Sequence, residues 1–280
     1  MSLNSVNTNI GASVALQSLE LTNTQLETTR KAISTGYRVA DATDDGAAYA
    51  VAQRVRSDVG ALTSANEQLG NVKGLISTTV SALNNVSNTL SAARATLVKL
   101  ADSNIVGSER SQYAKQYNDL VASIKTGFSD AKYHSKSLVG NIGGTSGFGN
   151  VAVVRNEVGA TFGIATFGGS AVVGSINGST LTAASGALAA ITAGGTFTKI
   201  IDTIGTKLAY YGSTSNSLDS LVSYNSSKID SLNNGLGSLV DADLAKESAK
   251  LQALQIRQQL GTQALSLANQ APQSLLSLFK

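Results

Sequence analysis

The chain has 280 residues, with no cysteine, no tryptophan, one proline, one histidine and only 5% aromatic residues. Without cysteine there is neither a disulfide framework nor a thiolate zinc site, and the lone His134 has no second imidazole with which to share a metal. Nor does His134, in the run AKYHSKS, offer the base that a serine nucleophile needs. It reads as an exposed histidine at a helix end. The shortage of aromatics tells against a compact enzyme core, because those side chains bury the most area per residue. A single Pro272 leaves the long stretches before it without the ring that kinks helices. No apolar run approaches the ~18 residues of a membrane helix. The N-terminus has no Lys or Arg before Arg30, so it lacks the basic start of a secretory signal, and any exit from the cell would need another route. The formal charge of +3 comes from scattered basic residues that form no stripe, which argues against nucleic acid as a partner. The glycines of GNIGGTSGFGN (140–150) are followed by no lysine and open no helix, so they are no phosphate loop. Acidic residues stand singly or beside turns, and the reading of Asp44 and Asp45 is turn and helix-start chemistry. Neither an enzyme nor a cofactor or metal site is expected.

What is present is a heptad ladder that appears twice. Val55, Leu62, Leu69, Ile76, Leu83, Leu90 and Leu97 follow at seven-residue steps, with Ala65, Val72, Thr79, Val86, Ala93 and Leu100 three residues behind all but the first. In the second half Phe197, Ile201, Ile204, Leu208, Tyr211, Ser215, Leu218, Val222, Asn225, Ile229, Leu232, Leu236 and Leu239 step by alternating fours and threes. A 3.5-residue period keeps a narrow apolar seam on one side of a helix, and such a seam needs a partner helix.

The spacing predicts an amphipathic helix over 2–34, a connector around 36–46, a long helix over 47–101, and a shorter helix with Ser108 as its cap and Tyr113, Tyr117, Leu120, Ile124 and Phe128 on its apolar face. At 1.5 Å per residue the long helix would reach ~80 Å. Its Gly60, Gly70 and Gly74 each cost ~1 kcal/mol relative to alanine, which tertiary packing must offset. Fourteen of the 27 glycines lie between Gly140 and Gly195, where Val151–Arg155, Ala160–Phe167 and Ala171–Ile176 read as strands of one or two hairpins and 177–195 as surface loop. The second ladder then runs to Val240, and a last helix follows Asp241-Ala242-Asp243. The fold expected is mainly α: long antiparallel, coiled-coil-like helices from both chain ends, with a small β-hairpin region between.

At this point particular runs resemble one family. GYRVADATDDGAAYAVAQRVRSDVGALTSANEQ (36–68) and STTVSALNNVSNTL (77–90) are similar to the N-terminal signature of bacterial flagellins, departing from it at Gly46 and Tyr49. DADLAKE (241–247), QQLGTQALSLANQ (258–270) and APQSLLSLF (271–279) are similar to the flagellin C-terminus. The resemblance implies that 1–45 and 241–280 pair as a filament-core domain, that 46–140 and 196–240 form a long helical bundle, and that 141–195 carries glycine-rich hairpins and a short surface loop. It also implies a short form with little outer domain.

The implied function is that of a structural subunit polymerising into the flagellar filament for swimming. The alternatives are a hook–filament junction protein, whose ends are related, and a cell-surface carbohydrate-binding homologue. Implied partners are many identical subunits, other flagellins, the flagellar export apparatus with its chaperone, and the hook-associated and cap proteins, with no membrane insertion. The protein would be extracellular, exported through the flagellum's own channel without a cleaved signal peptide. Assembly would rest on Leu3, Val6, Ile10, Leu254, Leu265, Leu275 and Leu278, and the seam within the subunit on Val55, Leu62, Leu69, Ile76, Leu83, Leu90, Leu97, Leu218, Val222, Ile229 and Leu232. Charge adds a smaller expectation. Residues 1–29 carry only Glu20 and Glu27, against Lys246, Lys250, Arg257 and Lys280 with Glu247 in the last helix, a complementarity that would help the two arms pair. Flagellins detected by the mammalian innate receptor carry Arg and Leu on the first long helix. The resemblance sets Ala92 and Thr96 at those positions, implying weak activation.

Overall fold

The computed structural model describes residues 8–139, 150–176 and 183–277. Its elements in chain order are α1 (Ile10–Thr35), α2 (Gly46–Leu100), α3 (Gly107–Asp130), β1 (Val151–Val154), β2 (Thr161–Ile164), α4 (Gly169–Ser175), α5 (Ala184–Ile191), α6 (Thr196–Val240) and α7 (Leu244–Ser277). The chain divides into two compact units: residues up to Asp58 with those from Asp230 onward, and Val59–Ile229.

In the unit made by the chain ends, α1 and α7 pack along each other. Asn9 caps α1, its side-chain oxygen accepting from Ala12 N–H, and its amide donates across to the Ala268 carbonyl at 2.7 Å. Further along, the Gln258 amide donates to the Asn23 side-chain oxygen at 2.8 Å. Rising numbers on one helix meet falling numbers on the other, so the pair is antiparallel. Gly36 ends α1 at φ 75°, a left-handed turn that only glycine makes without strain. The chain then meets the end of α6: Arg38 and Val39 N–H groups donate to the Val240 carbonyl, and Ala242 N–H donates to the Gly36 carbonyl. Val39, Ala48, Ala52 and Val240 bury a small apolar cluster there, with Tyr49 packed against it. Tyr49, one of the two departures from the signature, therefore contributes packing area.

In the other unit the two ladders close. Leu62, Leu69, Ile76, Leu83, Leu90 and Leu97 of α2 are fully buried, with Tyr211 and Leu218 of α6 and Tyr117, Ile124 and Phe128 of α3 among the other fully buried large side chains. Gly74 shows why small residues are tolerated in α2, because a Cβ there would stand 2.9 Å from the Tyr133 ring. Gly60 and Gly70 meet nothing of that kind. β1 and β2 pair antiparallel with Val151 opposite Ile164 and Val154 opposite Thr161.

Three tyrosines tie the middle segment to the helices. The Tyr211 hydroxyl donates to the Leu138 and Ala165 carbonyls at 3.2 and 3.1 Å, that of Tyr210 accepts from Ala165 N–H, and that of Tyr117 donates to the Ile176 carbonyl. Burial pushes the Tyr117 and Tyr211 hydroxyls above the ordinary phenol range.

Three local expectations are corrected. Residues 169–175, whose valines favour strand, form α4, because helical geometry turns Val172 into the core beside Ile176. Within the expected loop 177–195, 184–191 is α5, where alanine favours helix and Ala187 and Ala190 are buried. Ser108 is not a cap: α3 starts at Gly107, with φ 64°, and makes no side-chain cap bond. Pro272 falls inside α7. His134 follows α3 in a tight turn, at φ 46°, stacked on the Tyr133 ring and exposed.

Candidate assembly surfaces

The sequence-derived seam residues divide by exposure. Leu62, Leu69, Ile76, Leu83, Leu90, Leu97 and Leu218 are fully buried, whereas Val55, Val222, Ile229 and Leu232 are half-buried. One polar group interrupts the seam. Asn225 is buried and donates through its amide to the Asn66 side-chain oxygen and to the Arg155 carbonyl, both at 2.9 Å, so α6 is fixed to α2 and to the hairpin turn at one register. Lys228 holds Glu157 of the same turn and keeps its carboxyl below the ordinary range.

The α1–α7 pair is thinner. On α1 the inward residues are Ala12, Ala15, Leu19, Thr22, Leu26 and Thr29, stepping by threes and fours; on α7 they are Leu251, Leu254, Gln258, Gly261, Leu265 and Ala268. Several are small or polar, and a Cβ on Gly261 would meet the Leu19 side chain at 3.3 Å, which shows how closely the two helices approach. Leu254 and Leu265, two of the expected assembly residues, belong to this seam. Ile10 faces outward and is 51% exposed. The side chain of Leu275 and all of Leu3, Val6 and Leu278 lie outside the described residues.

Each helix carries a second apolar row that the seam does not use. On α7, Ile256, Leu260 and Leu267 are 58%, 57% and 72% exposed. At 100° per residue they fall on the side of α7 opposite Leu254 and Leu265. On α1, Ile10, Val14 and Leu21 are exposed and share a face turned away from α7. The sequence reading did not single out Val14, Leu21, Ile256 or Leu267, and it placed Leu260 among the apolar residues of the last helix without assigning it to assembly. Their spacings of four and seven were the available signal.

Beside the seam, a groove of about 400 Å³ runs between the helices, lined by Ser18, Leu19 and Thr22 of α1 and Arg257, Leu260, Gly261 and Ala264 of α7, so Leu260 of the outer row also borders the groove. Charge is arranged differently from the expectation. No ion pair joins α1 to α7 among the described residues: Lys31 binds Asp41 and Asp44 of the connector, and Lys250 binds Glu247 on its own helix.

The Lys31 ammonium donates to Asp41 at 2.6 Å and to both oxygens of Asp44, and Asp44 also accepts from the N–H groups of Ala40 and Asp41. The Lys31 bonds come first in holding both carboxyls below their ordinary range. Asp45 caps α2, accepting from Ala47 and Ala48 N–H, so both aspartates serve the turn and the helix start. On α2, Ala92 is exposed while Thr96 is buried with its hydroxyl on the Ala92 carbonyl, so of that pair only position 92 reaches the surface.

No cluster of three or more His, Cys, Asp or Glu able to hold a metal, and no helix long and apolar enough to cross a membrane, occurs among the described residues. What α1 and α7 do offer is exposed apolar surface on paired helices.

Comparison with known proteins points the same way. The family model for the bacterial flagellin N-terminal helical region matches residues 6–139, and that for the C-terminal helical region matches residues 195–279. Flagellin FljM of Caulobacter vibrioides is 35% identical over 100% of both chains, and a flagellin of Brucella melitensis is 34% identical over 99% of each. A solved structure from Vibrio parahaemolyticus, described as that of a flagellar hook-associated protein, matches 71% of this chain and 100% of its own with a TM-score of 0.55 at 15% identity, a likeness of fold alone.

Proposed function

Because the chain belongs to the bacterial flagellin family, whose members build the extracellular flagellar filament, we propose that its filament core is closed by the α1–α7 pair, through the apolar rows that this pair leaves uncovered within one subunit. The observation that carries this reading is the opposed pair of apolar faces on α7: Leu254 and Leu265 turned to α1, and Ile256 and Leu267 turned away from it, with Leu260 exposed at the edge of the groove. A helix that is apolar on two sides needs cover on both. Leu3, Val6, Ile10, Leu275 and Leu278 extend the set of residues assigned to contacts between subunits.

The same reading gives the arms a state before assembly. Burial stabilises by ~25 cal/mol per Å², while ordering costs ~1–2 kcal/mol per residue, and the seam of one pair, half of it Ala, Gly and Thr, offers little area to set against that cost. In the free subunit the arms are then largely unfolded, and they become helical on polymerisation. An unfolded chain end also suits export through the flagellar channel with a chaperone, and growth beneath a cap on a base of hook-associated proteins. The full-length match to filament flagellins favours the filament subunit over the junction protein.

Purified protein seeded with filament fragments tests the reading by electron microscopy and circular dichroism together. Filaments should form, with helix content rising sharply as they do. Persistent monomers, or equal helicity in monomer and filament, would refute the respective parts.

A further inference from the structure

Among the described residues, Glu20 and Glu27 on α1 and Arg257 on α7 take part in no ion pair, and Lys250 has only its own Glu247, 3.4 Å away in the same helix. The geometry explains why. Arg257 lines the groove together with Ser18 and Thr22, which places it, and Lys250 seven residues earlier, on the groove side of the α1–α7 seam. Glu20 lies two residues from both Ser18 and Thr22, about 160–200° around α1, which places it with Glu27 on the other side of the seam. The pair of helices thus has one acidic edge and one basic edge, facing in opposite directions. Of the remaining charges, Lys31 is taken by Asp41 and Asp44, Glu247 faces the seam beside Lys250, Lys246 belongs to the basic edge, and Arg30 lies one turn beyond Glu27. Edges of opposite sign on opposite sides cannot satisfy each other within one subunit.

We propose that the partner of each edge is a second copy of this chain: Glu20 and Glu27 of one α1–α7 pair dock against Arg257 and Lys250 of the next, with both copies pointing the same way. This rests on the filament-core reading of α1–α7 given above. The spacings match, since each charged pair is separated by seven residues, ~10 Å along its helix. With copies parallel, α1 of one meets α7 of the next in antiparallel fashion, so Glu20 comes opposite Arg257 and Glu27 opposite Lys250. Leu16, exposed on the acidic edge, then faces the groove floored by Gly261 and Ala264. The contact is heterologous, one edge on a different edge, and such a contact propagates into a ring or a helical polymer rather than closing as a dimer. Its charges select direction and register, while the apolar rows supply most of the affinity.

The test uses full-length chains in seeded polymerisation at low ionic strength. E20K/E27K has two basic edges, and K250E/R257E has two acidic ones. Each alone should raise the critical concentration about tenfold, equivalent to ~1.4 kcal/mol per subunit. An equimolar mixture should recover growth near that of the parent, because unlike edges can then alternate. The four-fold exchange E20K/E27K/K250E/R257E should recover growth by itself, and the differences should shrink in high salt. Parent-like growth of both charge variants, or a mixture no better than its components, overturns the edge pairing. A control separates this from failure of the core reading: I256A/L267A alters only outer-row residues that do not line the groove and should lose growth at every salt concentration. If that variant grows normally, the core reading itself falls.

Discussion

The outer row of α7 gives the sharpest perturbation. Ile256, Leu260 and Leu267 are 58%, 57% and 72% exposed in one subunit. Fully burying such a side chain contributes ~1.5–3 kcal/mol, so the share still available to each is ~1–2 kcal/mol and to the three together ~3–5 kcal/mol per subunit. Alanine keeps the Cβ and is the best helix former, so I256A/L260A/L267A removes most of that burial without weakening α7 as a helix. At ~1.4 kcal/mol per tenfold, the critical concentration for seeded growth should rise by at least about a hundredfold. The matching seam substitution, Leu254→Ala, acts differently. Leu254 is 3% exposed and faces α1, so its loss leaves a cavity inside the pair and costs ~2–5 kcal/mol in every state where α1 and α7 are docked. Sedimentation of seeded samples over a concentration series reads the first effect, and thermal melting of formed filaments followed by circular dichroism reads the second. A critical concentration for the triple variant within about threefold of the parent, ~0.6 kcal/mol, would refute the claim that this face is covered by neighbouring subunits.

Two further outcomes follow from the connector and from α2. The Asp41 and Asp44 carboxyls sit below their ordinary pKa because Lys31 binds their charged forms. A lowered folded value means the stabilisation is fully present above the ordinary carboxylate pKa, ~3.9, and is lost as pH falls through the folded value. Lys31→Met should therefore move the Asp44 titration upward by carboxyl-resolved NMR and reduce the acid sensitivity of the connector, whereas an unchanged Asp44 titration would show that Lys31 is not the cause. On α2, the small Ala92 and the inward Thr96 leave no large anchor where the family resemblance puts the innate-receptor contact. A cell reporter for that receptor should respond weakly, and a full response at low concentration would reject the assignment.

The long helices were legible because a 3.5-residue period is a local property of the chain that tertiary packing seldom overrides over six heptads. The seam from Leu62 to Leu97 is buried as its spacing requires. α4 and α5 were not legible. Each spans seven or eight residues, too few for a period to register, and burial of Val172, Ala187 and Ala190 decides them through contacts remote in sequence. The outer face of α7 was missed for a different reason. A search for one apolar face reads Leu260 together with Leu254 and Leu265, and the row on the opposite side cancels the asymmetry that such a search measures. That cancellation is itself informative. A helix with one apolar face is completed by its own subunit, whereas α7 has an inner row answered by α1 and an outer row answered by nothing in its own pair. The surface that makes α7 look least amphipathic in sequence is the one from which a polymer can be built, so low amphipathicity in a terminal helix with two separate leucine spacings is a readable sign of assembly.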